Sequence, residues 1–416
     1  MKEKSNFGRF MLLWTGELIS SVGGGLTAFG LGVYIFNRTG SAASMALVTL
    51  LGFLPTLLLC VPAGVLADRY DRRLLMMVGD GCSALGVLYI LLCMINGGAQ
   101  LWQIGIGVSV SAVFSALLEP SFRATITDLL TKEEYSRASG LVSLAGSARY
   151  LLSPVIAGFL LTVSDIKLLL VIDIATFILT VISAAVVRRG IGSKAAKEQE
   201  PFLKSMKEGW QLLCEKKGIL ILVAVSSGIT LFMGAFQILA EPLILSFTDA
   251  KALGIAETVC ACGMLASGLI LGIKGIKRNY VTVLAVSLIF AGLCMIGFGL
   301  FENMITICSF GFLFFAALPF ANNCLDYLTR TNIPDSAQGR VWGLIGFISQ
   351  LGYVVSYALS GQAADLIGRV SGRGVGRGAA MVVMFAGVFL AMTAGVILFP
   401  RSIRELEESM PEADAI

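Results

Sequence analysis

Apolar residues run along this chain in long blocks, separated by short charged segments. A helix needs about 20 apolar residues to cross a bilayer. That length test predicts twelve helices, near 10–36, 43–66, 74–95, 101–124, 139–163, 168–187, 218–245, 253–273, 280–301, 304–328, 338–365 and 378–400. The first block is too long for a cleaved leader, and no small-residue cleavage site follows it. Residues 188–217 form the one long polar stretch, with six predicted helices on either side. The expectation is an all-α membrane protein of twelve transmembrane helices in two six-helix bundles. Residues 1–187 form the first bundle, 188–217 a solvated cytoplasmic linker, and 218–416 the second bundle with a short cytoplasmic tail. Within the linker, Pro201 to Trp210 sets Phe202, Leu203, Met206 and Trp210 on one side and also reads as an amphipathic surface helix.

Charge orients the bundles. With the N-terminus inside, the cytoplasmic segments carry 24 Lys and Arg and the outer loops six; Arg149 alone lies within a span. Lys and Arg resist translocation, so this bias predicts both termini on the cytoplasmic side. Trp102 and Tyr280, at the starts of spans, read as interface anchors.

Composition narrows the chemistry. Charged residues make up 14% of the chain and apolar ones 56%, against about 25% charged in a soluble domain. The mean hydropathy is +0.85. The 47 Gly suit helices that approach closely in a membrane. The sequence has no His, which excludes His-based metal sites, Ser-His triads and histidine proton relays. It contains no phosphate loop or nucleotide fingerprint, so no cofactor, metal or nucleic acid is expected and an enzyme is not. The nine Cys, mostly inside apolar runs, read as small apolar filler.

The halves look related. R-A-S-G-L at 137–141 and R-V-W-G-L at 340–344 lie 203 residues apart, as do Gly158 and Gly361. Gly64 and Gly268 lie 204 apart, as do Arg73 and Lys277. Parallel repeats around a central cavity are a transporter architecture.

The short loop at 64–73 reads G-V-L-A-D-R-Y-D-R-R. A hairpin this charged and this short leaves the helices on both sides emerging on one face, the cytoplasmic one. The pattern resembles the loop between helices 2 and 3 of the major facilitator superfamily. Further stretches resemble its drug-efflux branch, which includes the macrolide-efflux proteins: L-W-T-G-E-L-I-S-S-V-G at 13–23, T-G-S-A at 39–42, P-S-F-R-A-T-I-T-D-L-L-T-K-E-E-Y-S-R-A-S-G-L at 120–141, and G-M-L-A-S-G-L-I-L-G at 263–272. Ser153-Pro154 with Gly158 resembles the helix 5 proline–glycine signature of antiporter members. The chain departs from many relatives in carrying Glu17 where they have Gln. It also lacks the Arg that other drug antiporters carry midway along helix 4.

The resemblance implies a conformational latch made of Gly64, Asp68, Arg69, Arg72 and Arg73, with Asp68 touching the cytoplasmic start of helix 11 in the outward-open state. A helix N-terminus attracts a carboxylate, and Arg72 and Arg73 can grip acidic groups or lipid phosphates. Ionisable groups inside spans are costly and default to functional candidates. Arg149 lies about 10 residues into its span, roughly 15 Å and close to the midplane. Glu17 and Glu119 approach it from the cytoplasmic side, and helices 1 and 4 line the cavity in this superfamily. A carboxyl that exchanges an Arg partner for water as a cavity opens loads and releases a proton. Glu17, Glu119 and Arg149 are thus expected to couple protons or bind substrate. Glu241 before Pro242 marks a possible outer gate. Asp80 is expected to be structural, Asp173 and Glu257 interfacial, and Asp326 and Asp365 solvated at helix ends. Phe232, Phe236, Phe314, Phe315 and Phe320 are offered to a lipophilic cavity, with packing as the alternative for each.

The leading expectation is an exporter of lipophilic small molecules driven by protons, in contact with membrane lipids, monomeric, in a bacterial plasma membrane. Export of a specific metabolite or siderophore, or lipid flipping, is the alternative from the same architecture. A non-transporting sensor or scaffold is the third.

Overall fold

A computed structural model describes residues 6–189, 210–211, 217–276, 278–333 and 338–408. The linker expected at 188–217 lies largely outside these residues. The described residues are helical and contain no strand. Twelve helical stretches are long and apolar enough to cross a membrane, so the chain is a multi-pass membrane protein.

The helices are α1 (Phe7–Thr39), α2 (Ala42–Arg69), α3 (Arg72–Ile95), α4 (Leu101–Ser115), α5 (Leu118–Leu129), α6 (Tyr135–Leu151), α7 (Ser153–Val163), α8 (Ile166–Arg188), α9 (Lys217–Leu245), α10 (Ala250–Lys274), α11 (Tyr280–Leu300), α12 (Met304–Thr331), α13 (Gln338–Ser371), α14 (Gly374–Leu398) and α15 (Arg401–Glu408). Two expected spans are each broken in two, and proline explains both. Pro120 has no N–H for the carbonyl of Ala116, where α4 gives way to α5. Pro154 likewise leaves the carbonyl of Tyr150, and the chain breaks at Leu152 between α6 and α7. Helix ends elsewhere are set by capping. Gly40 adopts φ 60° and its N–H returns to Phe36 O at 2.7 Å, closing α1. Asp165 opens α8 and Asn303 opens α12, each accepting from the backbone N–H two residues on.

The chain forms two compact units. Unit 1 comprises Met1–Gly40, Leu47–Glu198 and Asp249–Thr258. Unit 2 comprises Ser41–Ala46, Gln199–Thr248 and Val259–Ile416. In unit 1, Phe10, Leu13, Met76, Phe122 and Leu129 form a buried cluster joining α1, α3 and α5. In unit 2, Phe236 packs on Phe298 and Phe314 with ring centroids 4.6 and 4.4 Å away. Phe236 and Phe314 are therefore core residues of unit 2 and not offered to a cavity. Tyr280 stacks on Tyr327 at 4.1 Å.

Candidate functional site

Three glycines of α1 decide what surrounds the membrane charges of unit 1. Gly16, Gly23 and Gly30 recur every seven residues and so share a face. Each meets α8 at residues that also recur every seven. A Cβ at Gly16 would sit 2.8 Å from Ser183 Oγ, and one at Gly30 would sit 2.6 Å from Leu169 Cδ1; one at Gly23 would collide with the Thr176 hydroxyl. Without Cβ atoms the two backbones close up. Asp173, on α8, consequently lies against Gly23, 3.0 Å from where its Cβ would be. The neighbouring Gly25 faces the other way, onto Ser153 and the Arg149 side chain, whose Cγ would lie 3.1 Å from a Cβ there. Ser153 Oγ donates to Val22 O at 3.0 Å, and Trp14 Nε1 donates to Leu141 O at 2.6 Å. These two bonds fix α1 to α7 and α6. Arg149 and Asp173 thus flank one glycine-rich segment of α1 from two sides.

Asp173 is 1% exposed, not interfacial as its position in the sequence suggested. Its Oδ1 and the Thr27 hydroxyl are buried, and among the described residues neither makes a well-formed hydrogen bond. Asp80 on α3 is buried too. Glu17 is half-buried on α1. The charges of Arg149 and Glu119 act on Glu17, that of Arg149 on Asp173, and those of Glu17 and Asp173 on Asp80. Among the described residues, Glu17 and Asp173 therefore share Arg149 as a cation within electrostatic reach. Arg149 is exposed and joins no ion pair among the described residues. Glu119 departs from expectation. Its side chain is 73% exposed and binds Arg123 of its own helix at 2.8 Å, an i,i+4 pair, rather than Arg149.

The loop between α2 and α3 holds itself together. Asp71 caps α3 by accepting from Arg73 N at 3.1 Å and binds Arg188 Nε, at the end of α8, at 2.7 Å. Burial pushes the Asp71 carboxyl up, but the hydrogen bond from Arg188, the bond from the Arg73 backbone and the Arg188 charge outweigh it and hold the group below the ordinary carboxylate range. Arg72 and Arg73 both grip Asp128 of α5, at 2.8 and 3.4 Å. Arg72 also donates to Ala124 O at 2.9 Å and lies 3.9 Å from Asp68. Arg69 is exposed, and a Cβ at Gly64 would meet nothing within 4 Å. Sequence reading missed Asp71 and Asp128. The signal for Asp71 was its place just before a helix start; nothing local marked Asp128.

Pro154 and Gly158 receive the first turns of α10. A Cβ at Gly158 would lie 2.7 Å from Ala250 O, and Gly254 meets the Pro154 carbonyl. Thr258 Oγ1 donates to Leu151 O at 2.9 Å, satisfying a carbonyl at the proline break. Pro242 is buried inside α9 and Glu241 is half-buried beside it. Asp365 is 6% exposed, which corrects the expectation of a solvated helix end: it binds the start of α2.

The sequence pattern of the Major Facilitator Superfamily matches residues 13–357. The chain is 26% identical over 374 residues to macrolide efflux protein A of Streptococcus pyogenes, covering 86% of this chain and 90% of that protein. It is 22% identical over 376 residues to the multidrug efflux pump Tap of Mycolicibacterium fortuitum, covering 87% and 90%. Its fold is similar to the crystal structure of a bacterial homologue of the iron transporter ferroportin, with a TM-score of 0.71 at 14% identity, over 94% of this chain and 99% of that one.

Proposed function

The chain belongs to the Major Facilitator Superfamily, and from that premise we propose that it exports lipophilic, drug-like small molecules by proton antiport with alternating access. Its place is a bacterial plasma membrane, with both termini cytoplasmic and the monomer as the working unit. Two relatives named for macrolide and multidrug efflux support the direction of transport. The observation that carries the coupling is the set of acidic groups about α1. Glu17 and Asp173 both feel Arg149, and Asp173 is buried without a well-formed hydrogen bond at Oδ1. The hydroxyls of Thr27 and Thr176 are the side-chain donors near the Asp173 carboxyl, and burying an ionised carboxylate with no cation paired to it is costly, so such a group suits loading and release of a proton. Glu119 is the weaker candidate, because Arg123 already neutralises it in solvent. Asp68, Arg72 and Arg73 serve as the cytoplasmic latch, and Glu241 with Pro242 as the outer gate.

A susceptibility panel in a bacterial host stripped of its own pumps tests this reading. Expression should raise resistance to some lipophilic cations or macrolides, and a protonophore should restore accumulation of the hit compound. Unchanged susceptibility across the panel, with the protein shown to be in the membrane, would sink it.

A further inference from the structure

α2 and α10 start alike. The first residues of α2, Ser41–Ala46, belong to unit 2, whereas the helix from Leu47 onward belongs to unit 1. The first residues of α10, Asp249–Thr258, belong to unit 1 and the rest to unit 2. Each start is received by a glycine. A Cβ at Gly158 would lie 2.7 Å from Ala250 O and 3.3 Å from Lys251 Cα. One at Gly361 would lie 2.6 Å from Ala42 O and 2.8 Å from Ala43 Cα. These two glycines are the pair spaced by 203 residues in the internal repeat, so the repeat preserves a seat for a helix start.

The caps differ. α10 supplies its own: Asp249 Oδ1 accepts from Ala252 N at 2.8 Å. α2 also has one, since Ser41 Oγ accepts from Ser44 N at 3.1 Å. Yet α13 adds Asp365, whose carboxylate accepts from Ala42 N at 2.9 Å, Ala43 N at 3.3 Å and the Ser41 hydroxyl at 2.5 Å. The same offset places Thr162 at the matching position of unit 1, and its hydroxyl merely returns to Phe159 O of its own helix. The carboxylate is therefore an addition in one copy. It occupies the N-terminal donors and the positive end of the α2 dipole, where a buried anion is best held.

We infer that Asp365 is a positioning residue for transport: it holds the start of α2 in the conformation seen here and releases it when the protein opens to the outside. The inference rests on the transport reading and on the orientation given by Lys and Arg, which puts the α1–α2 loop outside. Alternating access moves one repeat against the other. α2 begins in unit 2 and continues in unit 1, so a helix that stays continuous carries that motion to its own start and pulls it from Asp365. On release, water and Ser41 take over the freed donors, so folding of α2 does not require Asp365.

The test is cysteine labelling in a variant without native Cys, with no substrate added. Met45→Cys is the reporter, since Met45 is 4% exposed; an impermeant methanethiosulfonate is applied to intact cells. Asp365→Ala should speed modification by roughly tenfold or more, the scale of a lost charge-assisted hydrogen bond. Asp365→Asn should be intermediate, and Asp365→Glu should keep labelling slow. Ser371→Cys, at the exposed last residue of α13, should label equally in all and report insertion. Equal reporter rates in Asp365→Ala and its parent, with Ser371→Cys unchanged, overturn the inference. If Asp365→Ala fails to insert, Asp365→Asn and Ser41→Ala decide by the same comparison. Because no substrate is used, a failed efflux assay leaves this result standing.

Discussion

Glu17, Asp173 and Arg149 are separated by what each side chain has to lose. Arg149 has no ion-pair partner among the described residues, while its charge acts on both acids. Glu17→Gln and Asp173→Asn should therefore abolish accumulation against a gradient in inverted vesicles with an imposed pH difference, yet spare downhill exchange of the same compound. Arg149→Ala should do likewise, or abolish binding if the guanidinium holds substrate. Pumping that survives in all three would reject the coupling site. Glu119→Gln should retain most activity, because it loses an exposed pair with Arg123 and its charge near Glu17 but leaves Glu17, Asp173 and Arg149 in place. Outside the membrane, Asp71 titrates with a clear sign. Its carboxyl is held below the usual range, so its stabilisation is present above the ordinary pKa of 3.8 and disappears only as pH falls through the lowered value. Asp71→Asn should lower the melting temperature of detergent-purified protein at pH 7, by the equivalent of about 0.5–1 kcal/mol for a partly exposed pair. Asp71→Ala, which also removes the α3 cap, should lower it further, by about 1 kcal/mol. An Asp71→Asn effect that is as large at pH 3 as at pH 7 would contradict the Arg188 pair.

Helix packing in unit 1 follows from glycine spacing, and single methyl groups test it. Gly23→Ala drives a Cβ into the Thr176 hydroxyl and toward Asp173, whereas Gly24→Ala meets nothing within 4 Å. The first should destabilise by about 1–3 kcal/mol through overpacking. The second should be neutral or slightly stabilising, as Ala favours helix over Gly. Thermal unfolding of the two variants side by side checks the α1–α8 register; equal melting temperatures would refute it. The same contrast shows what could be read from sequence. Twelve apolar blocks were legible because a bilayer demands about 20 apolar residues per crossing, and so was the charged α2–α3 hairpin. The heptad of Gly16, Gly23 and Gly30 was equally visible, and aligning it against Ser183 and Thr176 on α8 would have buried Asp173. The breaks at Pro120 and Pro154 were legible as well, since proline removes a known backbone bond. Asp128 and Asp365 were not. Their partners lie 56 and 323 residues away, and no local pattern announces a contact that only the packing of helices creates.

At the scale of the molecule, topology and the latch are linked claims. The proposed orientation, with the α2–α3 loop in the cytoplasm, rests on the Lys and Arg bias of 24 to six. Single cysteines introduced at Ser193 and Ser371 should then react only from the cytoplasm and only from outside, respectively; reaction of both from one side would overturn the twelve-span orientation. Within that frame Arg72 and Arg73 are committed to Asp128 inside unit 1, which fixes the ends of α2, α3 and α5 as one rigid corner. Asp68 sits at the edge of that corner, 38% exposed and only 3.9 Å from Arg72. Neutralising it leaves the corner intact but removes the charge that would attract a helix start. Asp68→Asn should therefore insert normally, melt within about 0.5 kcal/mol of the parent, and still transport poorly. Its Met45→Cys reporter should label more slowly from outside, the opposite of Asp365→Ala, because weakening a cytoplasmic closure favours the conformer in which Asp365 holds α2. Combining Asp68→Asn with Asp365→Ala should return the labelling rate toward the parent value, since each change removes an anchor of the opposite conformer. A double variant that labels like Asp365→Ala alone would show that Asp68 does not take part in the same equilibrium.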